Sequence, residues 1–450
     1  MQKRFNRKWL LPIVIVLGII TFFLPPVYSR AMPRIDGWIA SVKYLINPPD
    51  EVIFQPQQQN PVDTAATQLM QTHVATQTLQ ATLTPTVGPT LRSTITPTPL
   101  PESVILTGIT FVDQHNRWNY CGPANLTMAL NFWGWKGNRD DVARVVKPGD
   151  GDPKKDFIQQ GFDDKNVMPY ELVNFVNDET EYRALSRYGG DVDLVKRLIA
   201  AGFPVIVEKG YYERDYAGKT DWLGHYLFTT GYDDVRGGFI VQDSWIQDKK
   251  GNPIGENLLS EYAAYQEGWR SFNYLFMVVY PLDRESEVLE ILGPWANESW
   301  ASQHALELAE KDINSLKGND LFFAWFSKGT SYVALNQYVD AARAYDQAFS
   351  IYANWDETNE HRPFRMMWYQ TGPYFAYYYS ARYLDVISLA DTTLKTISKP
   401  TLEESLLWRG RAYYMIGNTQ AAISDYRAAL KVHTNWSPAI QALQDLGAQP

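Results

Sequence analysis

From Gln57 to Pro101 the chain is built almost wholly of Gln, Thr, Pro and Ala, as in TLTPTVGPTLRSTITPTPLP. Such a stretch carries too little apolar surface to offset the entropy of ordering it. It is expected to stay extended and solvated, a semi-rigid spacer stiffened by its Pro-Thr steps. Residues 59–104 are therefore read as a disordered linker. The folded body begins near Ser103, and only a short N-terminal piece precedes the linker.

That piece has two parts. Lys3, Arg4, Arg7 and Lys8 are followed by an uncharged apolar run from Trp9 to Tyr28. This approaches the roughly 20 residues that cross a bilayer as a helix. Basic residues ahead of the span favour an N-terminus on the inner side, with the rest exported. Residues 1–30 are read as a basic tip and an uncleaved transmembrane anchor; the alternative is a cleaved signal peptide, since VYSRAM offers small residues. Residues 31–58 form a membrane-proximal segment. The expected location is extracytoplasmic, anchored at the cell surface, or secreted if the segment is removed.

Hydrophobic residues make up 45% of the chain and aromatics 14%, enough for a large core and two or three domains. A net charge of -9 removes the electrostatic case for nucleic acid as a partner. One cysteine in 450 residues rules out an intramolecular disulfide, so Cys121 is free, reactive or paired elsewhere.

Cys121 stands in QHNRWNYCGPANLTMAL. SVILTGITFVDQ, before it, alternates like a strand. After it, Leu126, Leu130 and Trp133 recur at helical spacing, and Pro123 suits a first helical turn. A helix N-terminus favours a thiolate at Cys121. The bland alternative is a small buried hydrophobe.

A thiol nucleophile needs an imidazole base. His73 lies in the linker, His361 in a polar loop, and His304 and His433 on helical segments where surface or packing roles suffice. His115 is close to Cys121 in sequence. His225 differs: it opens a strand, GHYLFTTGYDD, joined through VRGG to a second strand, GGFIVQDSW. An antiparallel pair would bring Asp243 across to His225, where a carboxylate can orient the imidazole. Gln114, seven residues before the cysteine, has the amide that an oxyanion needs.

Q-x6-C-G-P-A-x-L-x-M, G-H-Y-x4-G-Y-D and QDSW together resemble the C39-like cysteine peptidases, over about residues 105–283. The resemblance implies a papain-like α+β fold, with Cys121 as nucleophile, His225 as base, Asp243 as orienting acid and Gln114 as oxyanion donor. Asp243-Ser244 stands where that family often has Asp-Pro. PYELVNFVN and DVDLVKRLIAAG read as helices and FPVIVEKGYY as a strand. The loop from Lys147 to Asn166 has Asp residues spaced loosely like a calcium loop, but its Gly and closing Glu are out of register, so a solvated insertion is expected. No metal or other cofactor is expected.

Beyond Arg284 the pattern becomes helical. Trp325, Gly329, Tyr332, Tyr338, Ala341, Tyr345 and Ala348 match tetratricopeptide spacing, and Gly410, Tyr413, Ala422, Tyr426 and Ala429 repeat it. A degenerate copy between them carries Tyr377, Tyr383 and Ala390. Residues 284–450 are thus read as an all-α superhelix of the kind that holds peptides or partner proteins. The function expected is a membrane-anchored cysteine peptidase acting on a peptide or protein substrate, with repeats that recruit it or a partner protein. An inactive peptidase-like scaffold is the alternative. Acyl transfer to an amine would look the same from sequence.

Overall fold

The structure, a computed structural model, describes residues 53–57, 99–117, 119–165, 167–214, 220–355, 362–397 and 401–450, with residues 21, 35 and 42 singly. The Trp9–Tyr28 span apart from Thr21, the linker up to residue 98, His73 and His361 lie outside the described residues. Among the described residues no helix is long and apolar enough to cross a membrane.

The chain runs through β1 (Ser103–Ile105), α1 (Cys121–Phe132), α2 (Arg139–Val146), α3 (Phe157–Gln160), α4 (Pro169–Glu179), β2 (Tyr182–Arg187), α5 (Val192–Ala200), β3 (Val205–Arg214), β4 (Thr220–Asp233), β5 (Gly238–Gln242), β6 (Leu258–Glu261), α6 (Tyr262–Arg270) and β7 (Phe276–Pro281). The strands form one antiparallel sheet in the order β2-β7-β3-β4-β5-β6, with β1 against the far end of β4. This is a mixed α/β sheet domain. Strand alternation divides its apolar side chains between two cores. Val205 and Val207 enter the core shared with α5 and α6, while Ile206 enters the one shared with α1, α2 and α4.

Two local expectations change. The alternating run before Gln114 pairs only over Ser103–Ile105 and, through Leu106, with the Thr230 carbonyl. Gly108 then takes φ 81° and the chain leaves the ladder. His225 does not open its strand but lies mid-way along β4, opposite Lys209 of β3. The hairpin β3–β4 is longer than the apolar pattern suggested, because polar and aromatic residues such as Glu213 and Trp222 continue the ladder.

A helical region follows: α7 (Glu285–Leu292), α8 (Glu298–Ser315), α9 (Asn319–Ala334), α10 (Tyr338–Ala353), α11 (Met366–Tyr369), α12 (Gly372–Tyr379), α13 (Tyr383–Lys395), α14 (Glu403–Met415), α15 (Thr419–Val432) and α16 (Ser437–Asp445). Three hairpins, α9–α10, α12–α13 and α14–α15, share one turn geometry. Asn336, Ala381 and Gly417 each take positive φ, at 59°, 58° and 85°. The next residue's N–H returns to the carbonyl of Tyr332, Tyr377 or Tyr413. In the outer two hairpins a Cβ on Gly329 or Gly410 would lie 2.6 Å and 2.5 Å from the rings of Tyr345 and Tyr426. The middle hairpin exchanges the sizes. Tyr374 stands in the glycine position, fully buried, and Ala390 in the tyrosine position. Volume is kept while identity changes, which explains why this copy looked degenerate.

Ala381 is exposed and left-handed, a conformation that glycine adopts without steric cost. Ala381→Gly is expected to raise stability by about 0.5–1 kcal/mol, seen as a higher thermal midpoint.

The helical region and the sheet share packing: Trp222, Phe272 and Leu275 of the sheet domain sit in one core with Phe322, Phe326 and Tyr345. The pre-linker segment joins that core. Phe54 lies 4.9 Å from the Phe349 ring and 5.9 Å from Tyr377, and Gln57 N–H donates to Asp385 at 2.8 Å. Residues 53–57 are thus seated on the helices.

Candidate active site

Cys121 is the first residue of α1, whose N-cap, Tyr120, provides no side-chain hydrogen bond. The N–H groups of the first turn are therefore left to the site. The helix is buried on all sides from Gly122 to Leu130, wedged between the sheet and α2 and α4, so the sulfur cannot drift. Asn125, one turn on and fully buried, fastens this end. Its Nδ2 lies 2.8 Å from the Cys121 carbonyl, 2.9 Å from the Tyr226 carbonyl and 3.3 Å from the Ser244 hydroxyl. One amide thereby ties the cysteine helix to β4 and to the residue after Asp243.

His225 lies between Cys121 and Asp243. Its Nε2 is 2.9 Å from Asp243 Oδ1, and Cys121 is close enough to the ring for each to shift the ionisation of the other. The contact with Asp243 is set by register. β4 and β5 end their pairing at Phe228–Gln242, and Asp243 follows one residue beyond. There its Oδ1 accepts from Trp245 N–H at 3.0 Å, and its own N–H donates to the Gly255 carbonyl at 2.8 Å.

Burial would push the Cys121 thiol up, but the hydrogen bond and charge of His225, with N–H groups of Tyr226 and Gly122, bring it below its ordinary value. Burial likewise lowers His225, yet the Asp243 charge and hydrogen bond, aided by Cys121, raise the imidazole to about 9. Burial raises the Asp243 carboxyl, and the charge and hydrogen bond of His225 outweigh it, so it ends below the usual range. The three shifts agree in favouring thiolate, imidazolium and carboxylate together.

Gln114, 8% exposed, is held at two points by Ser244. Ser244 Oγ donates to Gln114 Oε1 at 2.7 Å, and Gln114 N–H donates to the Ser244 carbonyl at 3.1 Å. This fixes which end of the amide is an acceptor already engaged, and turns the Nε2 donors away from Ser244. Ser244→Ala is expected to lower kcat by about ten-fold, through a freed Gln114 amide. The alkylation rate of Cys121 should not move, because the pair it reports does not include Ser244.

Cys121, His225 and Asp243 meet here, and Gln114 reaches the same place through Ser244, the residue after Asp243. Asn125 and Glu208 were missed. A lone Asn one turn after Cys121 in an apolar helix was the available signal for the first. Glu208, on β3 opposite Tyr226, is buried near Cys121 and His225, and burial with the Cys121 charge holds its carboxyl well above the usual range. Nothing in FPVIVEKGYY marks it apart from a charge inside an apolar strand. His115 is not a partner of Cys121: its Nδ1 contacts Asp113 at 2.6 Å and its ring stacks on Trp245 at 4.8 Å.

Residues 106–275 match the Peptidase_C39 like family. A crystal structure described as a C39-like peptidase from Bacillus anthracis is similar over 40% of this chain and 98% of its own, at 15% identity and a TM-score of 0.29. No curated protein matches the chain. The family match falls on the sheet domain and points to a peptidase there.

Proposed function

We propose that the chain is an exported cysteine peptidase, tethered by its N-terminal span, in which Cys121, His225, Asp243 and Gln114 cleave a peptide bond. The observation that carries this reading is the 2.9 Å contact of His225 Nε2 with Asp243, at the N-terminus of the helix that Cys121 opens, with Gln114 held on Ser244, the residue after Asp243. The Cys121 thiolate attacks the scissile carbonyl carbon, and the carbonyl electron pair moves to oxygen, where Gln114 Nε2 and the Cys121 N–H receive it. Collapse breaks the C–N bond, and the His225 imidazolium gives its proton to the leaving amine. The neutral imidazole then takes a proton from water, which attacks the thioester and releases the acid with the thiolate restored.

The three hairpins are read as tetratricopeptide-type repeats that recruit a protein substrate or partner. Their shared turn and the Gly329–Tyr345 and Gly410–Tyr426 packing support that reading. The test is cleavage of a peptide library by the full chain against Cys121→Ala. Products ending in free carboxyls, absent with Cys121→Ala, are expected. Amide-linked products would instead mean acyl transfer. No product of either kind, with Cys121 alkylating only above about pH 8 as an ordinary thiol does, would leave a scaffold.

A further inference from the structure

The Lys147–Asn166 loop is solvated only in its middle, where residues 151, 153, 154 and 156 are exposed. Lys147, Gly149 and Asp164 are buried, because the loop docks on the far end of the helical region. Thr434 N–H donates to the Gly149 carbonyl at 2.7 Å, and Gly151 packs under the Thr434 side chain. Where they meet, Asp164 of the loop, Glu403 at the start of α14 and His433 at the end of α15 converge. Asp164 and Glu403 are 0% exposed and His433 5%. Each presents one ligand-type atom, and these lie within 4.8 Å of one another.

Buried polar groups normally carry hydrogen bonds. Here both carboxylate oxygens of Asp164, both of Glu403, and His433 Nδ1 have none. His433 Nδ1 and Asp164 Oδ2 approach to 3.3 Å without hydrogen-bond geometry. Lys147 Nζ is adjacent but donates to the Asp164 backbone carbonyl at 2.8 Å. One ammonium, that of Lys147, stands among four carboxyls, those of Asp164, Glu403, Glu171 and Glu404.

We propose that Asp164, Glu403 and His433 bind one divalent transition-metal cation of the zinc or manganese class, clamping the loop onto the helical region. Two ligands of one tetrahedral ion, at about 2.0–2.2 Å each, stand about 3.3–3.6 Å apart, so the His433–Asp164 pair at 3.3 Å already fits and the widest pair closes by about 1 Å on binding. Two carboxylates with one imidazole suit zinc or manganese and leave no soft donor for copper(I). This site is separate from the thiol chemistry, and its role is to hold the helices against the domain that carries Cys121.

The test uses the full chain carrying Cys121→Ala, which removes the thiol as a competing ligand and makes peptidase activity irrelevant to the result. After stripping and exchange into zinc or manganese, roughly one equivalent is expected to survive gel filtration. Chelation should lower the thermal midpoint by roughly 5 °C. Glu403→Gln and His433→Gln should each reduce the retained metal to below about a tenth of an equivalent. Failure to retain either metal, or equal retention in both variants (an adventitious ion only), overturns the proposal. If the variants do not fold, X-ray absorption on the zinc-loaded chain decides: one imidazole with oxygen ligands supports the site, and several imidazoles overturn it.

Discussion

In His225→Ala, alkylation of Cys121 at pH 6 is expected to fall by roughly two to three orders of magnitude, and peptide hydrolysis by about four. The imidazole does two things for the thiol: it donates a hydrogen bond and supplies the charge that outweighs burial. Without it, only the Tyr226 and Gly122 N–H groups oppose burial, and the thiol protonates. The native protein should therefore alkylate quickly at pH 6, and the variant only as the medium becomes basic. A curve that is the same in both proteins would remove the thiolate–imidazolium pair.

The same pair sets the basic limb. His225 is raised to about 9, so hydrolysis should persist through neutral pH and decline as the imidazolium loses its proton near that value. Stability follows the same sign. A histidine raised above its unfolded value of about 6.5 contributes stability that is complete below 6.5 and is lost as pH rises through about 9. Urea unfolding at pH 6 and pH 10 should show the native protein losing more stability over that interval than His225→Ala.

Gln114→Ala has the second large effect, a loss of roughly 10²–10³ in kcat with little change in alkylation rate. The amide has no part in ionising the thiol; it acts where charge appears on the substrate oxygen. The split between the two readouts is what distinguishes an oxyanion donor from a residue that merely supports the fold. Because Ser244 acts through Gln114, adding Ser244→Ala to Gln114→Ala should cost almost nothing further. A full additional loss in the double variant would show that Ser244 acts on its own.

Much of this site is legible in the chain because its cues are local. A cysteine before Gly-Pro at the start of an apolar helix, and a histidine and an aspartate on two strands joined by a short turn, are set by nearby residues. Gln114 lies seven residues from Cys121 and travels with it. Asn125 and Glu208 were harder to see. Their roles depend on what the opposite element places against them, the Tyr226 carbonyl and Ser244 for one, and Cys121 with His225 for the other.

The helical hairpins show the same division. Periodicity alone marked all three, including the middle one, whose Tyr374 and Ala390 reverse the sizes of its neighbours. Such an exchange satisfies volume, which a spacing rule tolerates and an identity rule does not.

His433 and the Lys147–Asn166 loop were read as ordinary because each is unremarkable in its own segment. Asp164 and His433 are 269 residues apart by number, and only the docking of the loop on the end of α15 brings them to 3.3 Å. Sequence by itself determined the elements, the cysteine helix and the His–Asp hairpin, since these follow from short-range spacing and backbone preference. The seating of Phe54, the Ser244 clamp on Gln114 and the buried Asp164–Glu403–His433 cluster were decided only by tertiary structure. Burial and unmet hydrogen bonds are properties of packed surfaces, and no single segment contains them.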